Sequence, residues 1–242
     1  MRIGAITIGQ SPRPDLLEEI ITPELRGVEF VEAGALDGLR PEEISALAPR
    51  PDEPALITRL RDGSTAKVSE ELVAPLVSQC LRRLEESGVE ATMLLCTAGF
   101  RSLVAQRPLF RPYQLLRAVA RAVLAQGTLA VVVPEESQLP GTLAAWQLPG
   151  LEVIGMALPP YHPSAEELSS LVAFLRSHQV GLVVLDCLGY DCATQDHLTR
   201  ASGLPVLLPR TVLAAVLTAF VASSRQRATG GLGASAGQGG GQ

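Results

Sequence analysis

Val89-Glu90-Ala91-Thr92-Met93-Leu94-Leu95-Cys96 and Val180-Gly181-Leu182-Val183-Val184-Leu185-Asp186-Cys187 are two versions of one pattern. Each is a short aliphatic run of the length of a buried strand. In both, a valine stands seven positions before a cysteine, and an amphipathic helical segment comes first. In both, small residues and then an aromatic follow the cysteine: Cys96-Thr97-Ala98-Gly99-Phe100 and Cys187-Leu188-Gly189-Tyr190. Gly27-Val28-Glu29-Phe30-Val31 and Gly150-Leu151-Glu152-Val153-Ile154 form a second matched pair. Aliphatic strands resemble one another by chance, so the shared order carries more weight than any identity. It predicts a duplicated βαβαβα unit.

Outward from these stretches, strand-like runs fall at 2–8, 28–33, 91–96, 128–133, 151–157, 180–187 and 204–208. Helical periodicity lies between them. In 69–87, Leu72, Leu76, Leu81 and Leu84 make one face; 164–178 opens on the capping box Ser164 to Glu167. Segments 113–126 and 210–222 also read as helices. Thr58 to Leu60 and Thr65 to Val68, around Asp62-Gly63, predict a β-hairpin. Strands alternating with helices make the fold class α/β. We expect two similar lobes, each a parallel sheet flanked by helices, related by a pseudo-two-fold with a cleft between them. The first lobe is placed at 1–112 plus 210–226 and the second at 113–209. Residues 227–242 include seven glycines and read as a disordered tail.

The 242 residues are 47% hydrophobic and 19% charged, enough to bury a core unaided. A net charge of -5 argues against nucleic acid as the partner, since binding it needs a basic stripe. Four cysteines without close pairing suggest reduced thiols in the cytoplasm. No apolar run approaches the roughly 20 residues that span a bilayer, and the N-terminal run is too short for a signal core. His162, His178 and His197 show no ligand spacing, and neither a phosphate loop nor a nucleophile elbow is present, so no metal or other cofactor is expected.

In open α/β sheets, ligands bind beyond the carboxyl ends of strands. If the two halves face each other there, Cys96 and Cys187 stand on opposite walls of the cleft. Two thiols flanking one carbon suit racemisation without a cofactor: one as thiolate removes a proton, the other delivers one to the opposite face. Packing is the competing explanation for each cysteine. Cys80 reads as core and Cys192 as core or a helix start. Thr97 and Ala98, and Leu188 and Gly189, would bring backbone N–H groups to a substrate anion. Gly9, Gln10, Ser11 and Arg13, in the loop after the first strand, suit a carboxylate, with Arg13 as the charged partner. Their counterpart in the second half is Ser137. A surface turn before a Pro-started helix explains the first loop as well. Arg101, Arg107 and Arg111 lie in a Pro-punctuated stretch with no evident counterpart in the second half, read as a lid, an anion clamp or solvated charge. Arg210 is a further anion donor, and Thr211 a helix cap or its partner.

The stretches TIGQSPRPDL at 7–16 and LDCLGY at 185–190 resemble the AroM family. LLCTAGF at 94–100 resembles the first cysteine motif of the aspartate/glutamate/hydantoin racemase superfamily. The resemblance covers about residues 1–222. It implies two α/β lobes with an interlobe cleft and, as in the racemases, paired cysteines as acid and base, here Cys96 and Cys187. Amino-acid racemases follow the second cysteine with Thr-His. Leu188-Gly189 stand there instead, which weakens the case for aspartate or glutamate as substrate. The expected partner is a small carboxylate or cyclic imide, with a homodimer left open. The alternatives are a metabolite-binding protein without catalysis, a malonate-type decarboxylase using one cysteine, and a redox switch in which the facing thiols join.

Overall fold

The computed structural model describes residues 1–230 except 52 and 54. The first unit contains β1 (Arg2–Thr7), α1 (Pro14–Ile20), β2 (Glu29–Gly34), α2 (Pro41–Ser45), β3 (Ala55–Arg59), β4 (Thr65–Ser69), α3 (Glu70–Glu86), β5 (Ala91–Leu94) and β6 (Leu109–Phe110). The second contains α4 (Pro112–Val123), β7 (Gly127–Val133), α5 (Leu139–Ala145), β8 (Leu151–Ala157), α6 (Ala165–Ser177), β9 (Val180–Leu185), α7 (Cys192–Ser202) and β10 (Val206–Leu207). The helix α8 (Pro209–Gly230) closes the described chain.

The fold is α/β with two parallel sheets, ordered β2-β1-β5-β6 and β8-β7-β9-β10. The two orders correspond strand for strand, so the repeat seen in the sequence is a repeat of topology. The insertion is α2 with the antiparallel hairpin β3–β4, which the second unit lacks. Chain 101–112 does have a counterpart, contrary to expectation: β6 occupies the edge that β10 occupies opposite. A two-residue strand between Pro108 and Pro112 gives almost no periodic signal.

Each sheet is buried on both faces, as parallel sheets require. In β1, Ile6 faces the cluster built with Val73, Val77 and Leu81 of α3, while Ile3 and Ala5 face α1 and α8. In β7 and β9, Ala130, Val132, Val183 and Leu185 face α6 and α7, while Leu129, Val131, Leu182 and Val184 face α4. Leu213, Leu217 and Val221 of α8 lie four apart on one face and pack on the first sheet. Full burial of each contributes about 1.5–3 kcal/mol. The chain therefore crosses twice between units: α4 leaves β6 to pack on the second sheet, and α8 leaves β10 to pack on the first.

The inward stripe of α3 is rotated from the one its leucines suggested. Val73, Val77, Cys80, Leu81 and Leu84 are buried, whereas Leu72 is 44% exposed. The capping box of α6 forms, Ser164 Oγ accepting from Glu167 N and Glu167 accepting from Ser164 N. Helix α8 runs to Gly230, into the stretch read as tail; residues 231–242 lie outside the described residues. No helix among the described residues is long and apolar enough to cross a membrane.

Candidate active site

Ladder pairing ends at Leu94 in β5 and at Leu185 in β9, so each cysteine stands two residues beyond its strand, in the loop. The two loops then do the same thing. Ala98 N–H donates to Cys96 Sγ at 3.3 Å, and Gly189 N–H donates to Cys187 Sγ at 3.3 Å. A backbone donor two residues on favours the thiolate. Gly189 has to be glycine here, because a Cβ would meet Pro160 Cβ at 2.9 Å and the Tyr161 ring at 3.1 Å.

Both cysteines line one cavity of about 20 Å3, room for a single water-sized guest. Ile8, Leu16, Ile57, Leu95 and Leu188 make its apolar wall; Arg13, Thr58 and Tyr161 supply polar side chains. The two walls are tied across the lobes where the loops begin: Thr97 Oγ1 donates to the Asp186 carbonyl at 3.0 Å. Burial pushes both thiols up. Cys96 goes far above the ordinary range, with the Ala98 N–H pulling back and the Cys187 charge adding to the rise. Cys187 is pushed up to about 11, opposed by the Gly189 N–H and by the charges of Arg210 and Arg13. The pair is thus unequal in its surroundings: cations oppose the rise at Cys187 and none does at Cys96.

Arg13 is 4% exposed. It donates from Nε and Nη2 to Asp15 at 2.8 Å each, and from Nη2 to the Tyr161 hydroxyl at 3.3 Å. Nη1 has no hydrogen-bond partner among the described residues. Burial works against the Asp15 charge, but the Arg13 bonds outweigh it and hold the carboxyl below its usual range. Arg210, 3% exposed, is enclosed by acceptors: the carbonyls of Leu188, Gly189 and Asp15 and the Glu19 carboxylate. It braces the Cys187 loop and presents no free edge to an anion. Thr211 donates to the Leu208 carbonyl.

The other expected residues lie elsewhere. Ser11 uses its hydroxyl and N–H on Asp37 and its carbonyl on Arg61. Gln10 bonds Leu36 O and Arg61 N. Gly9 lies beneath Thr58. These three shape the loop and do not line the cysteine cavity. Ser137 is exposed on a short turn lining a separate groove; its neighbour Gln138 crosses the lobes instead, donating from Nε2 to Ala55 O. Arg111 holds the carbonyls of Phe100 and Leu103, a bracing role, and Arg101 stands exposed at a second cavity. That cavity, about 660 Å3, takes in Thr97, Ala98, Trp146 and Asp186 but neither cysteine. Cys192 opens α7, its N–H bonded to Glu19, and Cys80 is core. Among the described residues no group of three or more His, Cys, Asp or Glu is placed to hold a metal.

Thr58 and Tyr161 were not foreseen. Thr58 is one more β-branched residue in a strand, and Tyr161 sits in Pro159-Pro160-Tyr161-His162-Pro163, which reads only as a turn. Trp146 was missed too. Fully buried, it donates from Nε1 to Asp186 Oδ2 at 2.7 Å, while Asp186 Oδ1 is sealed without a partner among the described residues. Burial pushes the Asp186 carboxyl up to about 6, opposed by the Trp146 donor. A carboxyl raised on folding makes the folded state bind more protons, so its contribution is complete below pH 4 and lost as pH rises through 6. The urea midpoint should fall by the equivalent of roughly 2–3 kcal/mol between pH 4 and 7. Asp186→Asn should flatten that slope; an unchanged slope would exclude Asp186 as its source.

Residues 3–221 match the model of the family described as AroM protein. Among solved structures, the chain is similar to glutamate racemase from Francisella tularensis subsp. tularensis SCHU S4 in complex with D-glutamate, at 11% identity over 93% of this chain and 82% of that one, with a TM-score of 0.63. It is similar to a liganded double mutant of arylmalonate decarboxylase, at 16% identity over 90% and 92%, with a TM-score of 0.58. It is also similar to the maleate isomerase Iso from Pseudomonas putida S16, at 18% identity over 90% and 92%, with a TM-score of 0.57. At these identities the likeness is one of fold. No curated protein sequence matches the chain.

Proposed function

The chain belongs to the AroM family, and on that footing we propose that it is a cofactor-independent isomerase of the racemase type. It moves a proton at a carbon next to the carboxylate of a small acid, or the carbonyl of a cyclic imide, with Cys187 and Cys96 as base and acid. The observation that carries this is the matched pair: two sulfurs on one small cavity, each accepting a backbone N–H from two residues on. The Cys187 thiolate takes the proton, an S–H bond forms, and the C–H electron pair moves into the carboxylate or carbonyl. Cys96 then gives its S–H proton to the opposite face and is left as the thiolate. The reverse direction exchanges the roles. Arg13, charged and half-committed to Asp15, is the anchor for the substrate anion.

A cavity of about 20 Å3 does not admit a substrate. Entry therefore needs the lobes to part, or the β3–β4 hairpin to lift away from Tyr161 and Gln138. The direct test is incubation of a panel of 2-substituted carboxylic acids and cyclic imides in D2O. One solvent deuteron should appear at the reacting carbon as optical activity is lost. With Cys187 at about 11, kcat/KM should rise nearly tenfold per pH unit from 7 to 10, following the thiolate fraction. A flat profile would remove Cys187 as the base.

The apolar wall of Ile8, Leu16, Ile57, Leu95 and Leu188 favours a second reading. Such a wall strips water from a carboxylate and would assist loss of CO2 from a malonate-type acid. That reaction needs one protonating cysteine, so it survives one of the two single cysteine replacements, whereas racemisation survives neither.

A further inference from the structure

We infer that the substrate of this cavity is a carboxylate rather than an imide, gripped at two points: Arg13 on one oxygen and the Thr58 hydroxyl, carried in by the β3–β4 hairpin, on the other. This rests on the proton-transfer reading and narrows its substrate class. Thr58 is 2% exposed, yet it lines the cavity that holds both cysteines. Its hydroxyl has no hydrogen-bond partner among the described residues. A buried hydroxyl without a partner is costly. Among the described residues the sealed, unpaired polar side-chain atoms are Thr92 Oγ1 and Asp186 Oδ1, and Thr58 Oγ1 is not one of them. Unlike them, it is not fully sealed.

The backbone is shaped to bring it there. A Cβ at Gly9 would run into Thr58 Oγ1 and meet the Arg59 carbonyl at 2.5 Å, so the hairpin closes on the loop after β1 only because position 9 has no side chain. The hairpin is also held from the other lobe. Lys67 pairs with Glu135, Gln138 donates to Ala55 O, and Arg59 lies over the Tyr161 ring at 5.8 Å. Thr58 is thus set in place by contacts from both lobes, and Arg13, with Nη1 uncommitted, lines the same cavity. A carboxylate offers two acceptor oxygens to these two donors. When the proton leaves the adjacent carbon, charge grows on both oxygens, and both donors strengthen. An imide carbonyl can accept from both donors, but it carries no charge, so neither bond gains the strength that a carboxylate oxygen gives.

The test uses malonate, maleate and D-glutamate as carboxylate probes and succinimide as the imide probe, with affinity read by calorimetry. It is run in the wild type and on a Cys96→Ser/Cys187→Ser background, so that failure of the cysteine chemistry leaves the binding result readable. Thr58→Val, which keeps the shape, should weaken the best-bound carboxylate about 10- to 100-fold, the measure of one charge-assisted hydrogen bond. Thr58→Ser should restore it, and Gly9→Ala, which displaces the hydroxyl, should reproduce the loss. Thermal melting checks that each variant folds, and deuterium exchange of the Thr58→Val protein should lose kcat more than it raises KM. Unchanged carboxylate affinity in folded Thr58→Val overturns the proposal and leaves the cysteine pair standing. So does succinimide binding where no carboxylate binds.

Discussion

Cys187→Ser is expected to lower racemisation in both directions by about 10^3-fold or more, and Cys96→Ser to do the same. A positioned acid or base contributes about 10^2–10^4, and an alcohol cannot replace a thiolate as base near neutral pH. The two variants should nevertheless differ in what they keep. Without Cys96, the Cys187 thiolate can still remove and return a proton on its own face. One enantiomer of the substrate should then exchange its hydrogen with solvent without inverting. Without Cys187, the remaining base is Cys96, and burial without a neighbouring cation holds that thiol far higher. Arg210 and Arg13 favour the Cys187 thiolate. One-sided exchange at pH 7 should therefore be clearly faster in Cys96→Ser than in Cys187→Ser, and should involve opposite enantiomers in the two. Racemisation within tenfold of wild type in either variant would end the two-base mechanism. Equal exchange by both variants would end the assignment of Cys187 as the resting base.

How much of this was legible beforehand follows from how local each signal is. The matched runs ending at Cys96 and Cys187 identified the strand ends because a strand, its preceding helix and the small residues after it are all contiguous. The hairpin was legible for the same reason: Asp62-Gly63 between alternating runs is a local instruction. What the hairpin is for was not. Thr58 reaches the cavity because Gly9, 49 positions earlier, has no side chain in the way, and no spacing rule links those two positions. Ser11 and Gln10 looked like ligand donors because their groups are polar and lie at a strand end. Their acceptors, Asp37 and Leu36, come from the loop after β2, a pairing made only by the sheet. Arg13 and Arg210 carried the right charge in the sequence, but only packing separates them: one lines the cavity and keeps a nitrogen uncommitted, while the other is spent entirely on carbonyls and Glu19.

That difference predicts a large effect at Arg210. Its guanidinium donates to Leu188 O at 2.8 Å, Gly189 O at 3.1 Å, Asp15 O at 3.0 Å and Glu19 Oε2 at 2.8 Å. It thereby ties α8 to α1 and to the loop that carries Cys187. Arg210→Met keeps most of the volume but leaves three carbonyls and a carboxylate without their donor. The expected loss is about 3–5 kcal/mol, the scale for breaking a buried ion pair from one side. That is a large share of the roughly 5–15 kcal/mol that holds a protein folded. The urea midpoint should drop with little change in slope. The second consequence is electrostatic. With the cation gone, burial of Cys187 is opposed by less, and its thiol should titrate higher still. Alkylation of Cys187 by iodoacetamide, followed by peptide mass spectrometry below the unfolding transition, should slow, while Cys96 should be unaffected. Arg210→Lys separates the two effects. A lysine keeps the charge but cannot fork to four acceptors, so it should lose much of the stability and retain most of the Cys187 reactivity. If Arg210→Met costs less than about 1 kcal/mol, or leaves Cys187 as reactive as before, the buried arginine is not the brace on which that sulfur depends.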